Sequence, residues 1–190
     1  MRITGGELRS RALKAPRGND TRPTSDRVRE ALFSILIARG GVLTGARVLD
    51  LYAGTGALGL EAISRGAAAV VFVERSREAL AVLRANVASL GVGDRTVVVA
   101  AAVEKADKAL GAGGSRFGLV FADPPYADVK SGVATRALEA ILPRLEPAGL
   151  LVLEHASRDA APPLAHLTLE ESRTYGDTCV SFYRAAAPTD

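Results

Sequence analysis

Four consecutive residues, Asp123-Pro124-Pro125-Tyr126, combine an acidic acceptor, two rigid prolines and an aromatic ring. The prolines fix φ twice and remove two N–H donors. The corner they make is expected to leave the Pro124 carbonyl exposed as an acceptor. This set suits an exocyclic amine on a planar base. Asp123 and the Pro124 carbonyl each accept one N–H, and Tyr126 stacks on the ring. Such an amine is a poor nucleophile, because its lone pair is delocalised into the ring. Two oriented acceptors return density to nitrogen and aim the lone pair. The chemistry they favour is in-line attack on an activated carbon, with no metal and no strong base. The plainer reading is a rigid strand-to-loop turn with a packed tyrosine.

A second motif supplies a site for the electrophile. Asp50-Leu51-Tyr52-Ala53-Gly54-Thr55-Gly56-Ala57-Leu58-Gly59 contains the spacing of a dinucleotide loop, Gly54-x-Gly56-x-x-Gly59. That match alone is weak, since a tight strand-to-helix turn reads the same way. Asp50 separates the ligands. A carboxylate there faces a pyrophosphate unfavourably, but it suits a ligand with a cation and hydroxyls. S-adenosylmethionine has both, and Gly54 and Gly56 let the backbone come close to it. Glu74 is placed to accept both ribose hydroxyls, a device that NAD sites share. Its alternative role is a helix N-terminal charge. Residues 100–103, with Ala102, offer an apolar wall and backbone groups for adenine. They offer no side-chain acceptor. Tyr52 stands at the cofactor entrance or packs at its rim. Thr24 is a cofactor-site residue or simply a helix cap.

The elements that position these residues follow from the apolar pattern. Runs at 46–51, 69–74, 95–100, 117–122 and 149–154 read as strands. Helices are expected over 57–65, 77–90, 103–110 and 130–142. This βαβα order implies a mostly parallel sheet with helices on both faces. Asp50, Glu74 and Asp123 then share one edge, outside the carboxyl ends of the strands. Residues 164–170 and 179–185, around Tyr175-Gly176-Asp177, read as an antiparallel hairpin at the sheet edge. Ahead of the core, 1–4 and 10–13 are expected to pair around Gly5-Gly6. A helix capped by Thr24 or Ser25 then runs to about Ala38. Residues 1–20 thus read as a basic hairpin extension and 21–190 as the catalytic domain. His155 reads as an ordinary loop histidine and Cys179 as a buried small side chain.

Composition bounds the setting. The chain has 190 residues, 48% hydrophobic and 24% charged, which is one ordinary globular domain rather than a disordered or fibrous chain. One cysteine makes no internal disulfide, and no Cys/His cluster offers a metal cage. No apolar run spans a bilayer and no apolar leader opens the chain, so a cytoplasmic location is expected. The net charge of +3 is uneven: residues 1–46 hold nine Lys/Arg against four Asp/Glu, and the remainder holds fifteen against seventeen. A local basic region of this kind fits a polyanionic partner. Arg22, Arg27 and Arg29 are candidates for phosphate or for the cofactor carboxylate. Arg9 and Arg11, with Arg2, Lys14 and Arg17, are candidates for an RNA backbone. For each of these, solvated surface charge is the alternative.

With these motifs in hand, the chain resembles the class I S-adenosylmethionine-dependent amino-methyltransferases. More closely, it resembles the bacterial RsmD family of 16S ribosomal RNA guanine-N2 methyltransferases. The resemblance runs from Met1 to about Arg184. It rests on Met1-Arg2-Ile3-Thr4-Gly5-Gly6, on the segment from Arg22 to Phe33, on Val48 to Gly59, on Phe72-Val73-Glu74 and on the tetrad at 123–126. The tetrad by itself marks only amino methylation; the Arg22 to Phe33 segment points to this family. The resemblance implies a Rossmann-like, seven-stranded class I methyltransferase sheet with a small N-terminal hairpin and helix. It implies that Gly54 and Gly56 line the S-adenosylmethionine loop and Glu74 holds the ribose, with Asp50, Tyr52, Ala102 and Thr24 the further cofactor-site candidates read from the residues. It implies Asp123, Pro124 and Tyr126 as catalytic residues, with Pro125 beside the guanine. The implied substrate is 16S ribosomal RNA in an assembled or nearly assembled small subunit, met by a monomer. Relatives often carry an acidic residue near Ala101, where this chain has alanines, so adenine is expected to be held by backbone groups. Two alternatives stay open: an adenine- or cytosine-specific DNA methyltransferase, and a non-catalytic RNA-binding assembly factor. An NAD-dependent oxidoreductase explains neither Asp50 nor the proline corner.

Overall fold

The computed structural model describes residues 1–15, 26–40, 42–111 and 115–186. Its first long element is helix α1 (Asp26–Ala38), and five parallel strands follow: β1 (Arg47–Leu51), β2 (Ala69–Glu74), β3 (Thr96–Ala100), β4 (Phe117–Ala122) and β5 (Leu145–Ala156). Between them lie α2 (Ala57–Ser64), α3 (Arg77–Leu90), α4 (Ala106–Leu110), α5 (Tyr126–Lys130) and α6 (Val133–Ile141). The antiparallel strands β6 (Leu167–Tyr175) and β7 (Thr178–Ala185) close the chain. The sheet order is β3-β2-β1-β4-β5-β7-β6, so β7 lies between β5 and β6.

The central strands β1, β2 and β4 are buried on both faces, which is why they read as continuous apolar runs. Along β1, Val48 packs into one cluster with Phe33, Phe72, Phe121 and Phe182. Its neighbours Leu49 and Leu51 pack into the other, with Leu138, Ile141 and Tyr183. The N-terminal hairpin forms through the Arg2–Ala12 bridge, with Ile3 donating to Arg11 and Ser10 donating to Ile3. Ile3 and Leu13 drop from it into the first cluster.

Several boundaries differ from the sequence expectation, and three of the larger differences are instructive. The helix expected over 130–142 is two helices, parted at Gly132 (φ 74°), and the first already begins at Tyr126. β5 starts four residues early, at Leu145, across an irregular register against β4. β6 runs over 167–175 rather than 164–170. Its polar second half, Glu171 to Thr174, carries no apolar signal; pairing with β7 extends the strand there.

Candidate active site

The glycine loop begins where β1 ends. Asp50 is buried within β1, and its carboxylate accepts from the Gly59 N–H at 2.9 Å. Burial pushes that carboxyl up to about 8, opposed by the Gly59 hydrogen bond and reinforced by the charge of Glu74. The chain then turns sharply through Tyr52 (φ 58°), Gly54 (φ 53°) and Gly56 (φ 80°). Tyr52 is the one non-glycine in that left-handed turn, the kind of local strain that gathers at functional sites.

The three glycines differ in purpose. A Cβ on Gly54 would meet nothing nearer than the Tyr52 carbonyl at 3.9 Å, so its Cα faces open space. A Cβ on Gly56 would lie 2.3 Å from a Leu83 methyl, and one on Gly59 2.3 Å from the Phe72 ring. Those two let α2 and α3 close on the sheet. Among these three, only Gly54 has open space where a Cβ would stand.

Glu74 ends β2 and reaches across the loop. One carboxylate oxygen accepts from the Gly54 N–H at 2.8 Å, and the other from the N–H groups of Arg75 and Ser76. The helix-terminal role expected of Glu74 is therefore present, since its carboxylate caps the turn into α3, and the same side chain stands beside the open face of Gly54. Beyond β3, Ala101 donates its N–H to the Glu74 carbonyl at 3.0 Å, and the Ala102 carbonyl accepts from Lys105 at 2.9 Å. The 100–103 wall is thus tied to β2 by main chain. The Tyr52 hydroxyl is buried and has no hydrogen-bond partner among the described residues. Burial, with Glu104 and Asp128 nearby, pushes this phenol up to about 12, opposed by Arg75.

The proline corner follows β4 on the same edge. Asp123 is half-buried. Pro124 is buried as a residue and Pro125 exposed, and Pro125 (φ −52°, ψ 134°) leads the chain into α5. The Pro125 carbonyl caps α5 by accepting from Asp128 at 2.9 Å. The Tyr126 hydroxyl shares a 2.8 Å hydrogen bond with the Thr178 hydroxyl of β7. Nothing in the sequence points to Thr178, since this contact joins residues 52 apart.

The basic candidates separate. Arg9, Arg11 and Arg27 are exposed, and Arg11 donates to the Ser89 carbonyl on α3 at 2.7 Å. Arg29 is the correction. Its side chain is buried and pairs with Glu61 at 3.3 Å and Asp26 at 2.9 Å, and it donates to the Arg2 carbonyl. Glu61 also accepts from Thr4 and Gly5, so these residues fasten the hairpin to α2. A guanidinium used in this way has no surface left for phosphate. Arg22 and Thr24 lie outside the described residues. His155 is no loop residue either: it is buried in β5, 2.8 Å from the Ser181 hydroxyl. Cys179 is buried, as expected. Among the described residues no helix is long and apolar enough to cross a membrane.

A family model described as "Conserved hypothetical protein 95" matches residues 1–184. The chain belongs to that family. It is 35% identical over 188 residues to a putative rRNA methyltransferase of Bacillus subtilis, covering 97% of this chain and 98% of the relative. It is 42% identical over 126 residues to ribosomal RNA small subunit methyltransferase D of Escherichia coli K12, covering 66% of this chain and 60% of that one. Among solved structures, a putative methyltransferase of Escherichia coli superposes with a TM-score of 0.83 at 33% identity, with 99% of each chain covered. A hypothetical protein of Thermus thermophilus gives 0.81 at 37% identity, covering 98% of this chain and 99% of that chain. Family and fold together make the chain a class I S-adenosylmethionine-dependent methyltransferase related to the bacterial RsmD family.

The residues present fit that cofactor. Gly54 has an open face beside the half-buried Glu74 carboxylate, and the buried Tyr52 hydroxyl is a polar group without a partner among the described residues. The buried Asp50 adds a site that a nearby cation would stabilise in its charged form.

Proposed function

We propose that the protein methylates the exocyclic N2 amine of a guanine in small-subunit (16S) ribosomal RNA, on the assembled or nearly assembled subunit. The observation that carries this reading is the proline corner standing on the same sheet edge as Gly54 and Glu74, in a chain similar to named ribosomal RNA methyltransferases. Asp50, Tyr52, Gly54, Glu74 and Ala102 hold the cofactor, which supplies an electrophilic methyl group on a sulfonium. Asp123 and the Pro124 carbonyl accept the two amine hydrogens. They thereby hold the nitrogen lone pair in line, and Tyr126 fixes the base plane by stacking. Once the nitrogen has taken the methyl group it is cationic and acidic, so its proton passes to the Asp123 carboxylate and on to water; Asp123 acts as an orienting acceptor rather than a strong base. Pro125 sits at the exposed rim of the base site. The hairpin arginines Arg9 and Arg11, with Arg27 on α1, meet phosphate. The protein works as a cytoplasmic monomer.

The test uses radiolabelled S-adenosylmethionine with small subunits from a methylation-deficient strain, bare 16S RNA and duplex DNA, followed by mapping of the labelled base. Label on a guanine N2 in subunits is the expected result. Label on DNA, or on an adenine or cytosine amine, would replace this reading with that of a DNA methyltransferase. No label on any substrate would favour a non-catalytic assembly factor.

A further inference from the structure

The C-terminal hairpin reaches the proposed base site through Thr178. Thr178 is the first residue of β7 and is 8% exposed. Its backbone is fixed from both sides, paired with Ala156 of β5 and with Tyr175 of β6. Its hydroxyl lies 2.8 Å from the Tyr126 hydroxyl. Tyr126 opens a helix of only five residues, α5, directly after two prolines. So short a helix has little stability of its own. The ring of Tyr126 therefore takes its angle from contacts outside α5, and Thr178 is a rigid one.

We infer that Thr178 is a positioning residue for base methylation: its hydroxyl tethers Tyr126 so that the ring presents a fixed plane to the target base. The inference rests on the function proposed above. It assigns a task to the antiparallel hairpin, which holds the substrate half of the site from a distance of 52 residues in sequence. It also divides the work of Tyr126. The hydroxyl is engaged with the protein, and the ring face is what meets the base.

The test compares Thr178→Val, Thr178→Ser and Tyr126→Phe in the full chain. Valine keeps the β-branched shape that a strand favours and removes only the hydroxyl. The chain has four tyrosines, so carbon-13 labelling of tyrosine rings gives a small spectrum in which Tyr126→Phe assigns the Tyr126 signal. Thr178→Val should shift that signal, and Thr178→Ser should restore it. In turnover, Thr178→Val should lower kcat by about 10-fold while KM for the subunit stays within about twofold, since a misdirected ring slows attack more than docking. Tyr126→Phe should do the same, and the double variant should be no worse than either single one. An unmoved Tyr126 signal, or a wild-type kcat in Thr178→Val, overturns the inference. So does equal loss in the valine and serine variants alongside a lower melting temperature. If the wild-type protein labels no RNA, the functional reading falls instead, and the tyrosine spectrum still decides the tether.

Discussion

The glycine loop and the proline corner lie side by side but are held by opposite means. The loop is fixed by bonds that are short in sequence. Gly59 donates to Asp50, Gly54 donates to Glu74, and the Ala53 N–H donates to the Val73 carbonyl at 3.1 Å. The corner has given up two N–H groups to proline; the Asp123 N–H donates to the Leu51 carbonyl of β1 at 3.5 Å, and the tyrosine is tied to β7 through Thr178. The loop is built by its own neighbourhood; the corner is anchored to β1 at Asp123, but its tyrosine depends on the far end of the chain. The two halves should therefore fail separately.

The largest failure is expected at the corner. Asp123→Ala should lower methyl transfer by about 10³-fold, the scale for losing an oriented group that acts in the transition state. The cofactor dissociation constant should stay within about threefold by calorimetry. A parallel loss of both would show that the halves are one unit. Next comes the foundation of the loop. Arg29→Met removes one partner from a buried ion pair and leaves Glu61 with fewer donors. It should cost about 3 kcal/mol in urea denaturation. Cofactor affinity should fall with it, because α2 carries the loop, while the Tyr126 ring signal should not move.

A smaller effect tests Asp50 by pH. Its folded pKa of about 8 lies above the ordinary value of 3.8, so the fold favours the neutral acid. The stabilisation it gives is fully present below about 4 and is lost as pH rises towards 8. Ligand-free protein should lose melting temperature between pH 6 and pH 8 by a few degrees more than Asp50→Asn does, since the variant cannot ionise there. A cation in the loop favours the carboxylate, so cofactor binding should release a proton in the wild type and none in the variant. Calorimetry in buffers of different ionisation enthalpy measures that release.

The same contrast explains what can be read from sequence. The loop is legible because its residues are close in the chain: Asp50, Gly54 and Glu74 fall at strand ends that apolar periodicity locates well. The parallel sheet is legible because burial on both faces writes itself as Val, Leu and Phe runs. Tyr126 is legible as an aromatic beside prolines, but not its partner, because Thr178 is an unremarked polar residue in a strand with no motif. The extent of β6 is hidden for a related reason. Residues 171–174 are polar, and their strand form comes from β7 rather than from their own pattern. Arg29 misleads because basic residues in a basic region look alike until the helix face is known.

That ambiguity yields the finest test. Arg27 and Arg29 are two residues apart on α1, which places them about 200° apart around the helix axis. Arg27 faces solvent, and Arg29 is buried against Glu61. Their substitutions should therefore move different observables. Arg27→Ala should leave urea stability unchanged, weaken subunit binding about threefold and lower the slope of log affinity against log salt by about one phosphate's share. Adding Arg9→Ala and Arg11→Ala should lower it further in similar steps. Arg29→Met should lower stability while the protein that remains folded keeps the wild-type salt slope. A reduced slope in Arg29→Met, with none in Arg27→Ala, would mean that the buried pair rather than the exposed face meets the RNA. The proposed division between a stabilising and a phosphate-binding side of α1 would then have to be reversed.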